Sequence, residues 1–324
     1  MAVAVGFIGS GGIAKFHLKN LEQVPEAKIV ALSDIVEEKV KPLAEQYKAA
    51  AYTDFRKMLK KEDLNAVYVC TPPFAHGKQE MAAIKAKAHI FVEKPIHINV
   101  AKAQAIASKL QGANLIGAVG YQDRYQDIID KLKAYLAAHP VGMFIGYWMG
   151  GMPGVAWWRR KEQSGGQHTE QTTHIFDMAR YLFGEVDYVM ADGRVGMMTD
   201  VPEYNIEDAS AVTLKFKSGL MGTIFSACFL SVGGKTGLDI WCKDAHIWYQ
   251  ERTLIKITEK GKPAPEETKV VNPFGVEEDR TFIQAVQTGD ASKIRSTYAD
   301  AVKSLALSLA ATKAMATKKC VKVG

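Results

Sequence analysis

Five short apolar runs, separated by stretches of helical composition, fill the first third of the chain and constrain its fold more than any other feature. They are residues 2–8 (AVAVGFI), 28–32 (KIVAL), 65–70 (NAVYVC), 89–92 (HIFV) and 114–119 (NLIGAV). None alternates cleanly between polar and apolar, so each reads as a strand buried on both faces. The stretches between and after them, 12–22, 36–47, 54–61, 75–86 and 99–110, supply helices. Strands alternating with helices build βαβ units. The right-handed crossover rule then gives a doubly wound parallel sheet.

The texture changes after about residue 120. A helix is expected over 122–138, a strand over 143–149, a glycine-rich loop over 150–167 and a helix over 168–183. From 186 to about 257 the pattern has period two, as in 208–217 and 220–229, joined by the hairpin signal Lys217-Ser218-Gly219. Helical composition returns at 276–288 and 297–316. The expected organisation is therefore a dinucleotide-binding domain over 1–121 and an α+β domain over 122–324. The second domain carries an open, mostly antiparallel sheet with helices on one face. Several of its strands stay apolar on both sides, which points to a homodimer or homotetramer formed through that sheet. Residues 258–272, with Gly261, Pro263 and Pro265, are expected to be a flexible excursion.

Composition excludes several function classes. The net charge of +6 is modest for 324 residues, and no basic run carries interleaved aromatics, which argues against nucleic acid. Cys70, Cys228, Cys242 and Cys320 form no CxxC pair and no zinc spacing, as expected of free thiols in a reducing compartment. No apolar run approaches the ~20 residues of a membrane helix. The apolar N-terminus lacks a basic leader, so a cytoplasmic location is expected.

The first strand runs into Gly9-Ser10-Gly11-Gly12-Ile13-Ala14, which fits G-x-G-x-x-G/A at a strand–helix junction. Gly9 permits the tight turn, Gly11 lets backbone approach a pyrophosphate, and Ala14 lets helix and strand pack closely. Asp34 ends the second run, where a carboxylate accepts hydrogen bonds from ribose hydroxyls; capping of the next helix is the plainer alternative. Ile35 follows it, not Arg or Lys, so NAD is expected rather than NADP. Thr71, Pro72 and His76 fall in TPPFAH, a rigid loop at the carboxyl end of the next run. His76 suits capping or packing as well as cofactor contact. The run FV at 91–92 ends on Glu93-Lys94-Pro95 at the same edge, which aims Lys94 at the nicotinamide end of a bound dinucleotide.

The GSGGIA turn, Asp34, TPPFAH, EKP at 93–95, GYQDRY at 120–125 and SGGQ…EQTTHIFD over 164–177 span nearly the whole chain. Together they resemble the glucose–fructose oxidoreductase / inositol dehydrogenase / MocA family. The resemblance implies that Lys94 is the active-site lysine and that a carboxylate and a histidine four residues later complete the site. These are Glu170 and His174 here. The family usually has Asp at the first of them, so Glu170 leaves that role open between orienting His174, contacting a substrate hydroxyl and capping the helix.

On a continuous helix, positions 170, 174, 177 and 181 share one stripe, while 175, 178, 179 and 182 face the core. His168, Glu170 and His174 lie close in sequence, but HTEQTTH is not HExxH and no further ligand follows, so no metal is expected. The aromatic run YWMGGMPGVAWWRR suits a carbohydrate pocket, with Trp157, Trp158 and Arg159 as candidate substrate contacts; packing of a sheet edge is the alternative. Arg124 and Tyr125, near the domain junction, are further candidates, with a salt bridge between the domains the alternative for Arg124. The implied activity is hydride transfer between NAD and a carbinol carbon of a sugar or polyol. His174 then acts as acid/base and Lys94 as electrostatic stabiliser at one site. An NAD-dependent glycosidase and a non-catalytic NAD-binding regulator are the alternatives on the same scaffold.

Overall fold

The computed structural model describes residues 2–324. It divides into two compact units, one running to Tyr125 and resuming over Pro273–Val302, the other comprising Gln126–Asn272 and Lys303–Gly324. The boundary expected after residue 121 thus falls four residues later. The second part is also not contiguous, because the segment after Asn272 returns to the first unit. Among the described residues no helix is long and apolar enough to cross a membrane.

The first unit holds six parallel strands: β1 (Val3–Ile8), β2 (Ala27–Ser33), β3 (Ala50–Tyr52), β4 (Ala66–Val69), β5 (His89–Val92) and β6 (Gly117–Val119). Their order is β3-β2-β1-β4-β5-β6, the doubly wound arrangement. Helices α1 (Gly12–Leu21), α2 (Glu37–Gln46), α3 (Phe55–Lys61), α4 (Lys78–Lys85) and α5 (Val100–Gly112) make the crossovers. Strand β3 was not among the expected runs: its three residues, AAY, are too few to show a pattern. The core joins Val5, Phe7, Tyr68 and Phe91 of the sheet to Ala14 and Leu18 of α1. Val276, Phe282 and Ile283 of the helix Phe274–Thr288 complete it. That helix is why the later segment belongs with this sheet.

The second unit is built on nine strands: β7 (Val141–Met149), β8 (Val186–Arg194), β9 (Ala209–Phe216), β10 (Met221–Ala227), β11 (Lys235–Cys242), β12 (Ala245–Gln250), β13 (Leu254–Glu259), β14 (Glu266–Lys269) and β15 (Val321–Lys322). They run in the order β14-β13-β12-β11-β7-β10-β9-β8-β15, and only β7 and β10 pair in parallel. The β9–β10 hairpin turns at Gly219 as the sequence signals, with φ +94°. Residues 258–272, expected as a flexible excursion, instead contain β14, tied to the sheet edge by Lys256–Glu267 at 3.0 Å and to the helix beside it by Lys131–Glu266 at 2.6 Å. Charge had masked a strand stabilised by ion pairs.

Helices of this unit are α6 (Asp127–Ala138), α7 (Lys161–Ser164), α8 (Gln167–Glu170) and α9 (Thr173–Phe183); α10 is the Phe274–Thr288 helix of the first unit. The last, α11 (Tyr298–Thr317), begins in the first unit and gives most of its length to the second. One sheet face packs Phe144, Val212, Leu214, Ile224, Leu238 and Ile247 against Ile128 and Leu132 of α6, Ile175 and Phe176 of α9, and Leu307 and Ala311 of α11. In-register positions of the opposite face leave Met143, Met190, Met221 and Phe225 between 42% and 52% exposed.

Candidate active site

The glycine turn has the geometry a dinucleotide needs. Gly9 has φ +98°, and a Cβ there would collide with the Cys70 carbonyl oxygen of β4's edge, so only glycine fits. Beyond it the space over Gly11 and Gly12 is open. No side chain caps α1, which leaves the amides of its first turn, around Gly12 and Ile13, to an anionic group. The Asp34 carboxylate is fixed beside the turn. Its Oδ2 accepts from Ser10 N at 2.8 Å and Ser10 Oγ at 2.7 Å, and its Oδ1 from Val36 N at 2.9 Å. A carboxylate has about four acceptor positions, so capacity remains for a ribose hydroxyl. The residue that follows, Ile35, is 89% exposed and brings no cation for a 2′-phosphate.

Across the turn, Thr71 and Pro72 leave the carboxyl end of β4. Thr71 Oγ1 is buried with no hydrogen-bond partner among the described residues. These features, all at the β1/β4 switch point, fit the residues present to NAD. His76 is engaged at the start of the next helix. Its Nδ1 lies 2.5 Å from Glu80 Oε1, while Glu80 Oε2 accepts from Gly77 N at 2.6 Å, closing the start of α4. Burial pushes the Glu80 carboxyl up, but His76 and the backbone amides outweigh it and hold it below the usual range. His76 therefore serves the helix start, the capping alternative.

β5 ends at Val92. Glu93 N donates to Val69 O at 2.9 Å and Gly120 N to Val92 O at 3.0 Å, so the strand end just before Lys94 is anchored to both neighbouring strands. The Lys94–Pro95 peptide is cis.

In the second unit the expected helix over 168–183 is broken. α8 stops at Glu170, and α9 starts at Thr173, with Thr172 Oγ1 sharing a hydrogen bond with Ser226 Oγ at 2.8 Å. Glu170 therefore leaves the stripe it was expected to share with His174. Its Oε2 accepts from Trp158 Nε1 at 2.6 Å. His174 lies in the first turn of α9, nearly buried, its ring stacked on Trp148 at 5.4 Å and 18°. Asp177 and Arg180 are buried too: Ser304 Oγ donates to Asp177 Oδ1 at 2.5 Å and Arg180 Nη1 to Ser304 Oγ at 2.9 Å. The polar side of α9 is interior, not a solvent face. His168 Nε2 lies 2.7 Å from Ser210 Oγ, so His168, Glu170 and His174 turn to three different neighbours.

Several candidate substrate contacts are also structural. Arg124, 2% exposed, donates to Arg295 O at 2.5 Å and pairs with Asp300 at 2.7 Å, while Tyr125 OH accepts from Arg295 N at 2.9 Å. Trp158 is fully buried with Ile206 and Cys228. Trp157 and Arg159 stay partly exposed, Arg159 donating to Pro202 O at 3.3 Å. His17, not singled out from sequence, is buried between Glu93 and Asp279. Its signal was available: it shares the apolar stripe Ala14, His17, Leu18, Leu21, where a titratable ring needs a partner.

Burial holds His168 down, to about 4. Its folded value lies below the ordinary 6.5, so the unfolded chain binds the extra proton first and stability falls as pH drops from 6.5 toward 4. We expect a wild-type loss of about 2 kcal/mol between pH 7 and pH 5 from this group alone. Urea unfolding at both pH values should show His168→Gln losing correspondingly less than wild type; equal losses would refute the assignment.

Comparison with known proteins agrees with this geometry. Residues 3–121 match the model for an oxidoreductase family with an NAD-binding Rossmann fold, and residues 140–248 match that for the GFO/IDH/MocA C-terminal domain. The chain belongs to the GFO/IDH/MocA oxidoreductase family. It is accordingly an NAD-dependent enzyme. Among its relatives, a myo-inositol 2-dehydrogenase of Thermotoga maritima is 28% identical over 98% of both chains. A scyllo-inositol 2-dehydrogenase (NAD(+)) of Bacillus subtilis is 27% identical over 68% of this chain and 66% of its own. Among solved structures, a levoglucosan dehydrogenase in complex with NADH and levoglucosan superposes with a TM-score of 0.88 over the full length of both chains. At 19% identity it speaks to the family fold alone.

Proposed function

We propose that the chain transfers hydride reversibly between NAD and a carbinol carbon of a sugar or polyol. The observation that carries this is Lys94 at the carboxyl end of β5, on the nicotinamide half of a sheet whose other half is fitted to a dinucleotide. The names of its relatives support the polyol class. Bound NAD supplies the hydride acceptor. Lys94, as an ammonium, stabilises the negative charge that grows on the substrate oxygen. His174 takes the hydroxyl proton in oxidation and returns it in reduction. Glu170, engaged by Trp158, orders the loop around α8, while Trp157 and Arg159 are the substrate contacts their exposure allows. The test is a panel of inositols, aldoses and sugar acids with NAD and NADP, following absorbance at the NADH band and released product together. Sustained NADH formation on a polyol supports the proposal. Sugar release from a glycoside without net NADH would move the chemistry to oxidation–elimination.

We also propose that the open sheet face, with Met143, Met190, Met221 and Phe225, pairs with a second copy, since apolar side chains clustered on one face mark association sites. Sedimentation should give a dimer or tetramer for wild type and a smaller species for Phe225→Arg. A monomeric wild type would end this idea.

A further inference from the structure

The first unit encloses a group of ionisable side chains that the proposed chemistry does not touch. His17 of α1 is 1% exposed. Its Nδ1 lies 2.8 and 3.0 Å from the two carboxylate oxygens of Asp279 on α10, and its Nε2 lies 3.0 Å from Glu93 Oε1. With a carboxylate against each nitrogen, both nitrogens donate and the ring is an imidazolium. Burial alone would push its pKa down, but Asp279 and Glu93 outweigh burial and hold it well above the ordinary value. Asn20 Nδ2 adds a donor to Asp279 Oδ2 at 2.9 Å. The ring is also caged, with Tyr68 at 5.4 Å and Phe91 at 4.9 Å between centroids.

Glu93 is the residue before Lys94. Its backbone is pinned to β4, and its carboxylate lies against Gly120, where any Cβ would collide with Oε1. The side chain thus fills the space between Gly120 and His17. We infer that His17 is a positioning residue for Lys94: it locks Glu93 from inside the unit and so fixes the chain where the lysine leaves the sheet. This rests on the proposed role of Lys94. A buried ion pair whose partner is removed leaves an uncompensated charge, and Glu93 would then leave its slot. Displacing a reacting group by about 1 Å costs on the order of 10² in rate.

The experiment uses the full chain with His17→Gln, Glu93→Gln, the double variant, Lys94→Ala, and Leu18→Ala as a control for lost packing in the same helix. Two readouts are taken. One is steady-state turnover with NAD and the fastest panel polyol. The other needs no substrate: competitive labelling by acetic anhydride, which compares Lys94 with the exposed Lys57. We expect His17→Gln to lower kcat by roughly 10- to 100-fold with KM for NAD and polyol within about threefold. Lys94 labelling relative to Lys57 should change by a similar direction and size in Glu93→Gln, and the double variant should be no worse than the poorer single. Leu18→Ala should lose thermal midpoint but keep kcat and the labelling ratio. Unchanged labelling and kcat in both His17→Gln and Glu93→Gln, or a loss confined to KM for NAD, overturns the inference, as does an equal loss in Leu18→Ala. If His17→Gln does not fold, Glu93→Gln decides by the same readouts. Full activity in Lys94→Ala would instead defeat the lysine's proposed role, while the labelling ratio still reports whether His17 positions it.

Discussion

Lys94→Ala should lower kcat by at least roughly 10²–10³-fold while NADH still binds within about threefold of the wild-type affinity. The size follows from the job proposed for the ammonium. A fixed charge aimed at a developing oxyanion has little to reorganise at the moment of reaction, and losing one such group costs about 10²–10³ in rate. The sparing of cofactor binding follows from the sheet. The groups suited to the dinucleotide sit on β1, α1 and the end of β2: Gly9, the uncapped amides around Gly12, and the Asp34 carboxylate tied to Ser10. Lys94 leaves β5, two strands from β1 in the order β1-β4-β5. Fluorescence titration with NADH and stopped-flow turnover separate the two properties. Lys94→Arg, which keeps the charge but not its shape, should recover part of the rate. Near-normal kcat in Lys94→Ala would remove the electrostatic role altogether.

His174→Asn should lower the oxidative rate by roughly 10²–10⁴-fold at neutral pH, the range for a lost positioned proton acceptor. It should also change the shape of the pH profile. A base works when unprotonated, so the proposed role should give the wild-type oxidation rate a limb that rises with pH. Asn has no such ionisation, and that limb should vanish. The stacked Trp148 holds the ring plane, so the substitution leaves a packed neighbour and the first turn of α9 in place. A variant that retained the limb would show that another group supplies the base.

What could be read from the chain in advance was whatever depended on local pattern. The five apolar runs became β1, β2, β4, β5 and β6 because unbroken apolar stretches declare a strand, although Lys28 of β2 stays exposed and only the last three residues of the fifth run form β6. The glycine turn and Asp34 were legible because their spacing is a local requirement of the strand–helix junction. Ala50–Tyr52 was not, since three small residues carry no period. The stripe through Glu170 and His174 failed for a different reason: helical periodicity cannot foresee a break between Glu170 and Thr173, where Thr172 bonds Ser226, 54 residues on. Arg124 was open between a substrate contact and a salt bridge because nothing near it in sequence reveals that Arg295 and Asp300 engage its guanidinium. Trp158 likewise read as a pocket wall until Glu170 claimed its indole N–H. Long-range partners, not residue types, decided each of these.

The late return of Pro273–Val302 to the opening unit has a practical corollary. A truncation ending at Tyr125 would retain every β-strand of the nucleotide sheet yet lack Val276, Phe282 and Ile283, so Tyr68 and Phe91 would face water on the flank those side chains cover. Anyone dissecting this polypeptide for spectroscopy should therefore splice the two stretches by a linker rather than cut the gene once.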